Sequence, residues 1–421
     1  VNNSESVTIV GAGVVGIACA HYLHNAGLQV RLIDRGTAGG ACSYANCGYI
    51  CPSHVLPLTE PAAIKSAIKS LFNPRSAFRV KPSVSPSLWN WMFQFARRCT
   101  HGQMLSAGKS LQAILNASMK EYRQLIPTES LDCDWKENGL LYVFKTRRGL
   151  ESFARTADLI AEKFQVTADR IEGDVLQYFE PGLKPGLAGA FHYPGDTSVR
   201  PDKLNRQWAD KLRRAGVEFI EDCELHGTSQ SAGQITSVQT SRGEYSSDHY
   251  LFAMGAWSSR WAKELKCPIP IQPGKGYSVT LQRPESSPQH PMLFPEHHTG
   301  VSPFRDGFRL GSMMEFAGYD TSIPDFRIKQ LRDSARDYLL ADVDGTAVEK
   351  WYGWRPMTWD SLPIIGKTPG LANTYLATGH NMLGLSLAPA TGRLVAELIT
   401  GQTPHIDPEP YRPERFGVNG R

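Results

Sequence analysis

Apolar residues follow two rhythms along this chain, and the places where one gives way to the other mark its elements. Residues 6–10 form a short apolar run that stops at Gly11, and from Val14 apolar positions recur at helical spacing. This predicts a strand leading directly into a helix. A second run over 29–33 closes on Asp34 and predicts another strand. The same texture returns further on, with a helix over 201–215, a strand over 217–220, a hairpin of 235–240 with 242–247, and a strand over 249–253 followed by a helix. Near the end, 373–378 reads as a strand, and 385–400 as a helix stopped at Gly401. The blocks 86–194 and 269–352 carry most of the aromatic residues and strand-like runs at 276–281 and 307–312. They predict a second, discontinuous domain.

A chain of 421 residues exceeds the size at which a single core keeps growing. Hydrophobic residues at 41% and charged residues at 20% fit a globular enzyme and exclude a disordered scaffold. A net charge of +4 without a long basic block gives no footprint for nucleic acid. There is no apolar stretch of about twenty residues to span a bilayer, and the opening residues lack a signal-peptide pattern, so a cytoplasmic location is expected. The eight cysteines do not resemble a disulfide framework and are read as reduced thiols.

Chemistry concentrates in a few motifs. Gly11, Gly13 and Gly16 stand between the first strand and its helix, where they serve a tight turn, close backbone approach to a pyrophosphate and helix–strand packing. Asp34, at the end of the next strand, is placed to accept from ribose hydroxyls. The loop after it is rich in small residues and can reach the far end of a dinucleotide, with Ser43, Asn46 and Gly48 as contacts. Cys42, Cys47 and Cys51 have spacing C-x4-C-x3-C, which matches no common metal or cluster run, and no metal is expected. Arg355, between Trp354 and Pro356, carries a planar fork suited to a carboxylate, with a structural ion pair equally open. The run 378–386 leads into the last helix, whose N–H groups would face an anion, and His380 is either a base or a support for the turn. Lys275 and Tyr277 begin an inter-domain strand, and Tyr319 is as ambiguous as Tyr277, either pocket or packing.

Six ordered motifs, at 10–16, 43–50, 273–278, 314–320, 354–358 and 378–384, together resemble the D-amino-acid oxidase-like superfamily of FAD-dependent oxidoreductases, nearest its bacterial D-amino acid dehydrogenase branch. The resemblance implies an α/β fold, with a Rossmann-like FAD-binding domain from 1–85, 195–268 and 353–421. An α+β substrate domain on an antiparallel or mixed sheet would come from 86–194 and 269–352. FAD would be held by the glycine motif with Val14 and Val15, by Asp34, Arg35 and Gly36, and by Cys42, Ser43, Asn46, Cys47, Gly48 and Ile50. Leu225, Ala253, Gly255, Ala256, Trp257 and Gly353 would join them, with Gly379, His380, Asn381, Met382, Leu383 and Gly384. Arg355 would clamp the substrate carboxylate, with Tyr277, Tyr49 and Tyr319 around it, and Arg355, Tyr277 and His380 as catalytic candidates. Cys47 and Tyr49 stand where relatives often carry Ala and Gln.

The implied reaction is oxidative deamination of an amino acid, in the D series by family analogy, to a 2-oxo acid and ammonia. Hydride would pass from Cα to flavin N5 and electrons to a quinone or another respiratory acceptor. Two alternatives stay open: an oxygen-using glycine, sarcosine or hydroxyproline oxidase, and a non-catalytic FAD-binding subunit of a larger dehydrogenase. Ile64, Ala67, Ile68 and Leu71, and separately 89–98 with its aromatics and arginines, are candidates for peripheral contact with the inner membrane. They suit core packing equally, and a homo-oligomer or a heteromeric partner is also open.

Overall fold

The computed structural model describes residues 4–61, 76–81 and 85–417. Its first sheet has six strands in the order Ile364–Lys367, Thr374–Thr378, His249–Phe252, Ser6–Val10, Gln29–Ile33, Glu218–Ile220. All pairings are parallel except that of Ile364–Lys367 with Thr374–Thr378. Strand Ser6–Val10 is buried on both faces: Val7 and Ile9 pack in the cluster that holds residues of helices Val14–Asn25 and Gly384–Ile399, and Val10 in the cluster with Ile235, Val238 and Leu265. Helix Val14–Asn25 lies against Gly384–Ile399 so closely that a Cβ on Gly392 would stand 2.6 Å from the Ala18 carbonyl oxygen. A three-stranded antiparallel sheet, Leu225–Ser231, Gln234–Thr240 and Gly243–Tyr245, supplies the predicted hairpin.

The second large sheet has nine strands and is mixed. Next to one edge, Ile271–Leu281 pairs antiparallel with the edge strand Ala347–Thr358 on one side and Gly307–Phe316 on the other. Helix Asp325–Arg336 covers one face, burying Ile328 and Leu331 against Tyr277, Val279 and Leu281. The opposite face meets the loop after Asp34, where Ser278 Oγ donates to the Ala45 carbonyl at 2.8 Å.

Two expected domain limits move. The ladder between Ile271–Leu281 and Ala347–Thr358 is continuous through residue 353, so the limit placed there falls inside a strand and Arg355 stands on the nine-stranded sheet. Phe78–Val80, placed in the dinucleotide part, pairs with Gly307–Phe316 of the same nine-stranded sheet. The segment with Ile64, Ala67, Ile68 and Leu71 lies outside the described residues. Residues 89–98 fall in helix Pro86–Arg98, which buries Trp91 and leaves Trp89 and Phe93 exposed. Among the described residues no helix is long and apolar enough to cross a membrane.

Candidate active site

The chain leaves strand Ser6–Val10 in one direction towards Gln29–Ile33, while His249–Phe252 flanks it on the other side. Such a switch point opens a crevice at the carboxyl ends of the strands. Gly11 sits in that crevice at φ +109°, and a Cβ there would lie 2.5 Å from the Ala253 carbonyl oxygen. A Cβ on Gly16 would lie 1.9 Å from the Gly11 carbonyl oxygen, so only glycine lets the helix pack this close to the turn. Helix Val14–Asn25 starts without a side-chain cap and without an acidic residue in its first turn. The Val14 N–H donates to Ser43 Oγ at 3.0 Å, and Gly13, Val14 and Val15 border the cavity, so a partly positive helix end faces open space.

Asp34 receives the Ala12 N–H on Oδ2 at 2.7 Å and the Gly36 N–H on Oδ1 at 2.9 Å. Burial raises its carboxyl, and these two donors oppose the rise. Each oxygen keeps a lone pair for a ribose hydroxyl. A second uncapped start, that of helix Gly384–Ile399, borders the same cavity through Leu383, Gly384 and Leu385. The cavity measures about 1370 Å³. That exceeds the roughly 300–1,000 Å³ usual for one small ligand and suits a dinucleotide plus a second molecule. The cradle that Cβ atoms would fill, the uncapped helix ends and the half-satisfied Asp34 together fit FAD.

At the other end of the cavity, Arg355 pairs in register with Gly274 on the face that meets the loop after Asp34. A Cβ on Gly276 would stand 2.6 Å from both terminal guanidinium nitrogens, so the missing side chain is the space the guanidinium occupies. The Arg355 guanidinium donates to the Met313 carbonyl. That carbonyl is aimed by a bulge opposite Gly276, where Ser312 and Met313 take φ of +123° and +61°. Non-glycine residues held this way store strain, and bulges re-aim groups beside active sites. No carboxylate lies within ion-pair distance of Arg355 among the described residues. Arg309, on the same face, differs: it donates to Thr280 Oγ1 at 2.9 Å and the Asn46 carbonyl at 3.0 Å, with Asp202 and Glu349 at 3.7 and 3.8 Å. A buried guanidinium lacking a counter-ion is costly, and a ligand carboxylate removes that cost.

Most of the expected cofactor residues border this cavity: Gly11, Gly13, Val14, Val15, Asp34, Arg35, Cys42, Ser43, Asn46, Cys47 and Gly48, then Leu225, Ala253, Gly255, Ala256, Trp257, Gly353 and 380–384. Gly16, Gly36, Ile50 and Gly379 do not line it. Gly16 and Gly36 shape the turn and hold Asp34, and Ile50 is core. Gly379, at φ +71°, keeps clear of Thr358 Cγ2, which a Cβ would approach to 2.7 Å.

Four of the candidates are engaged by partners of their own. Tyr277 borders the cavity, but strand alternation directs it to the face opposite Arg355, where its hydroxyl donates to Glu315 Oε2 at 2.8 Å. Tyr319 is not part of the cavity lining, and its hydroxyl donates to the Ala256 carbonyl at 2.6 Å. Tyr49 does border the cavity, but its hydroxyl is shared between the Met292 and Val301 carbonyls at 2.7 and 3.0 Å. His380 is buried against Thr391 Oγ1 at 3.0 Å, and burial pushes its imidazole down to about 3. It supports the turn as a neutral ring. Burial likewise pushes the Cys42 thiol up to about 11 and raises Cys47 and Cys51, so none of them is a thiolate.

Several cavity residues escaped sequence reading. His54, Tyr142 and His298 border it, and burial lowers His54 to about 4 and His298 below its usual value. Leu58, Phe78, Trp91, Phe95, Met314 and Phe316 form an apolar wall. They come from four separate stretches of chain, and no one motif brings them together.

The family model of FAD dependent oxidoreductases (DAO) matches residues 6–398. A D-amino acid dehydrogenase of Agrobacterium fabrum is 30% identical over 419 residues, covering 98% of this chain and 100% of its own. One of Granulibacter bethesdensis is 31% identical, covering 95% and 97%. Among solved structures, glycine oxidase from Geobacillus kaustophilus superposes with a TM-score of 0.76 at 22% identity, covering 98% and 99% of the two chains. L-proline dehydrogenase from P. horikoshii does so at 0.72 and 20%, covering 99% and 98%. At these identities the structural likeness speaks for the fold.

Proposed function

The chain belongs to the DAO family of FAD-dependent oxidoreductases, and from that premise we propose that it oxidises a free amino acid, of the D series, to the imine and so to the 2-oxo acid and ammonia. The observation that carries this reading is Arg355, a guanidinium in the cavity wall that no carboxylate balances among the described residues. It binds the substrate carboxylate in a bidentate grip, and the strained Met313 carbonyl and the bare backbone of Gly276 hold the fork in place. Bound FAD supplies the hydride acceptor for the Cα–H. The protein aims that bond, with the carboxylate fixed at one end and the cradle fixing the cofactor at the other.

The amino group must be neutral when the hydride leaves, and of the imidazoles bordering the cavity two are poor acceptors of its proton at neutral pH. His380 and His54 are held at about 3 and about 4. An amine loses its proton near pH 8 or above, far from those values. With the substrate amine losing its proton before the hydride leaves, kcat/KM rises with pH towards the amine pKa. A flat kcat/KM between pH 6 and pH 9 contradicts this.

Electron transfer to a quinone-type acceptor in place of oxygen accords with relatives named as dehydrogenases. Helix Pro86–Arg98 supports contact with a lipid surface: Phe93 is 59% exposed and Arg97 lies over its ring at 5.7 Å, while Trp91 on the inner face borders the cavity. Flotation with anionic liposomes tests this, and protein that stays wholly at the bottom of the gradient removes it. The reaction itself is tested by anaerobic mixing with D-amino acids, which bleaches the flavin band in the wild type and far more slowly in Arg355→Met.

A further inference from the structure

Beyond Arg355 the cavity continues along an apolar wall that carboxylate binding leaves unused. Met314 Sδ lies 3.8 Å from an Arg355 guanidinium nitrogen, and a Cβ on Gly274 would stand 2.5 Å from that sulfur. Met314 pairs in register with Phe78, and the Phe78 ring lies 6.0 Å from that of Phe316. Phe316 is 5.3 Å from Trp91, which stacks on Phe95 at 5.3 Å. Leu58 packs on the same cluster. The Trp91 indole N–H is shared between the Pro270 and Met357 carbonyls, both at 3.1 Å, so the ring is fixed before any ligand arrives.

Once its carboxylate is fixed at Arg355, an amino acid has its Cα only a few ångströms away. On the cofactor side Arg355 is bordered by Cys42 and Cys47, and on the other by Met314. We propose that the wall of Leu58, Phe78, Trp91, Phe95, Met314 and Phe316 receives the substrate side chain, so that the enzyme selects amino acids with large apolar side chains. The proposal rests on the function given above. Glu60, two residues beyond Leu58, also borders the cavity and forms no ion pair among the described residues, so an acidic side chain meets a second carboxyl group there. Selection follows from area: each apolar group moved from water onto this wall adds binding that glycine and alanine cannot gain.

The test uses the purified holoenzyme under anaerobic conditions. Acetate and 3-phenylpropionate, which carry the carboxylate but no amine, are titrated against the flavin absorption band. D-phenylalanine, D-methionine, D-alanine, D-aspartate and glycine are then compared as reductants. 3-Phenylpropionate is expected to bind about tenfold or more tighter than acetate, and D-phenylalanine and D-methionine to exceed D-alanine in kcat/KM by about tenfold or more. Phe95→Ala should raise KM for D-phenylalanine several-fold more than KM for D-alanine. Equal binding of the two acids, or a preference for glycine, D-alanine or D-aspartate, overturns the proposal. If 3-phenylpropionate binds tightly and no amino acid bleaches the flavin, the proposed reaction fails while the apolar wall stands. If amino acids bleach the flavin without apolar preference, the wall's role fails and the reaction stands.

Discussion

The cradle and the floor of this cavity are built from opposite materials. In the cradle, Gly11, Gly13, Val14, Asp34 and Ser43 come from one run of chain, and the working groups are largely backbone N–H donors at a turn and a helix start. On the floor, Gly276, Met313 and Arg355 come from three strands far apart in sequence, and the working group is one side chain held by its neighbours' backbone. A backbone site tolerates few side chains but needs little from the rest of the fold. A site of the second kind depends on strand register, because a slip of one residue would turn Arg355 to the face where Tyr277 lies.

The difference predicts how each part breaks. Gly16→Val drives a Cβ into the Gly11 carbonyl and should abolish flavin binding outright, measured as flavin absorbance per protein chain. Arg355→Met should retain its flavin and lose about 10³-fold in kcat/KM, about 4 kcal/mol of transition-state stabilisation. Equal flavin loss in both variants would erase the distinction. Between the two regions, Asp196 accepts the Ser53 N–H at 3.0 Å and the Ser53 hydroxyl, and burial pushes its carboxyl from 3.8 up to about 7. Its folded value lies above its unfolded one, so the stability it contributes is full below about pH 4 and is lost as pH rises through about 7. Asp196→Asn should flatten that decline, by up to about 4 kcal/mol, in chemical unfolding followed across this range.

Smaller effects sharpen the assignment of the floor. Tyr277→Phe removes a donor to Glu315 and should cost about 1 kcal/mol of stability. Its kcat/KM should stay within about threefold of the wild type, whereas loss of a direct substrate contact would cost far more. His380→Gln should leave the pH profile of kcat/KM where it is, because the imidazole is already neutral across the working range. A displaced profile would return His380 to the role of a base.

The same contrast explains what the sequence disclosed. The cradle was legible because its causes are local: a strand, three glycines, a helix and an acid occur in a fixed order, and each has a steric or electrostatic reason. The helix ends at 201–215 and 384–399 were legible for the same reason, with Gly216 and Gly401 at φ of +100° and +68° closing them. The floor was legible only at Arg355, whose role rested on resemblance. That Tyr277 faces away follows from counting along a strand whose partner could not be known in advance. The strained Ser312–Met313 bulge has no glycine to betray it, and the apolar wall forms only when residues near 58, 78, 91–95 and 314–316 meet. His380 stayed open between base and support because a histidine in a glycine-rich turn fits either role until its burial is known.

The most direct measurement is stopped-flow absorbance of the flavin band on anaerobic mixing of wild type and Arg355→Met with D-phenylalanine over a concentration series. The expected result is full bleaching in the wild type with saturating dependence on the amino acid, and a variant that binds flavin but bleaches about 10³-fold more slowly at low substrate. A wild-type flavin left oxidised by every amino acid, or equal bleaching in both proteins, would contradict Arg355 as the carboxylate anchor of an amino-acid-oxidising site.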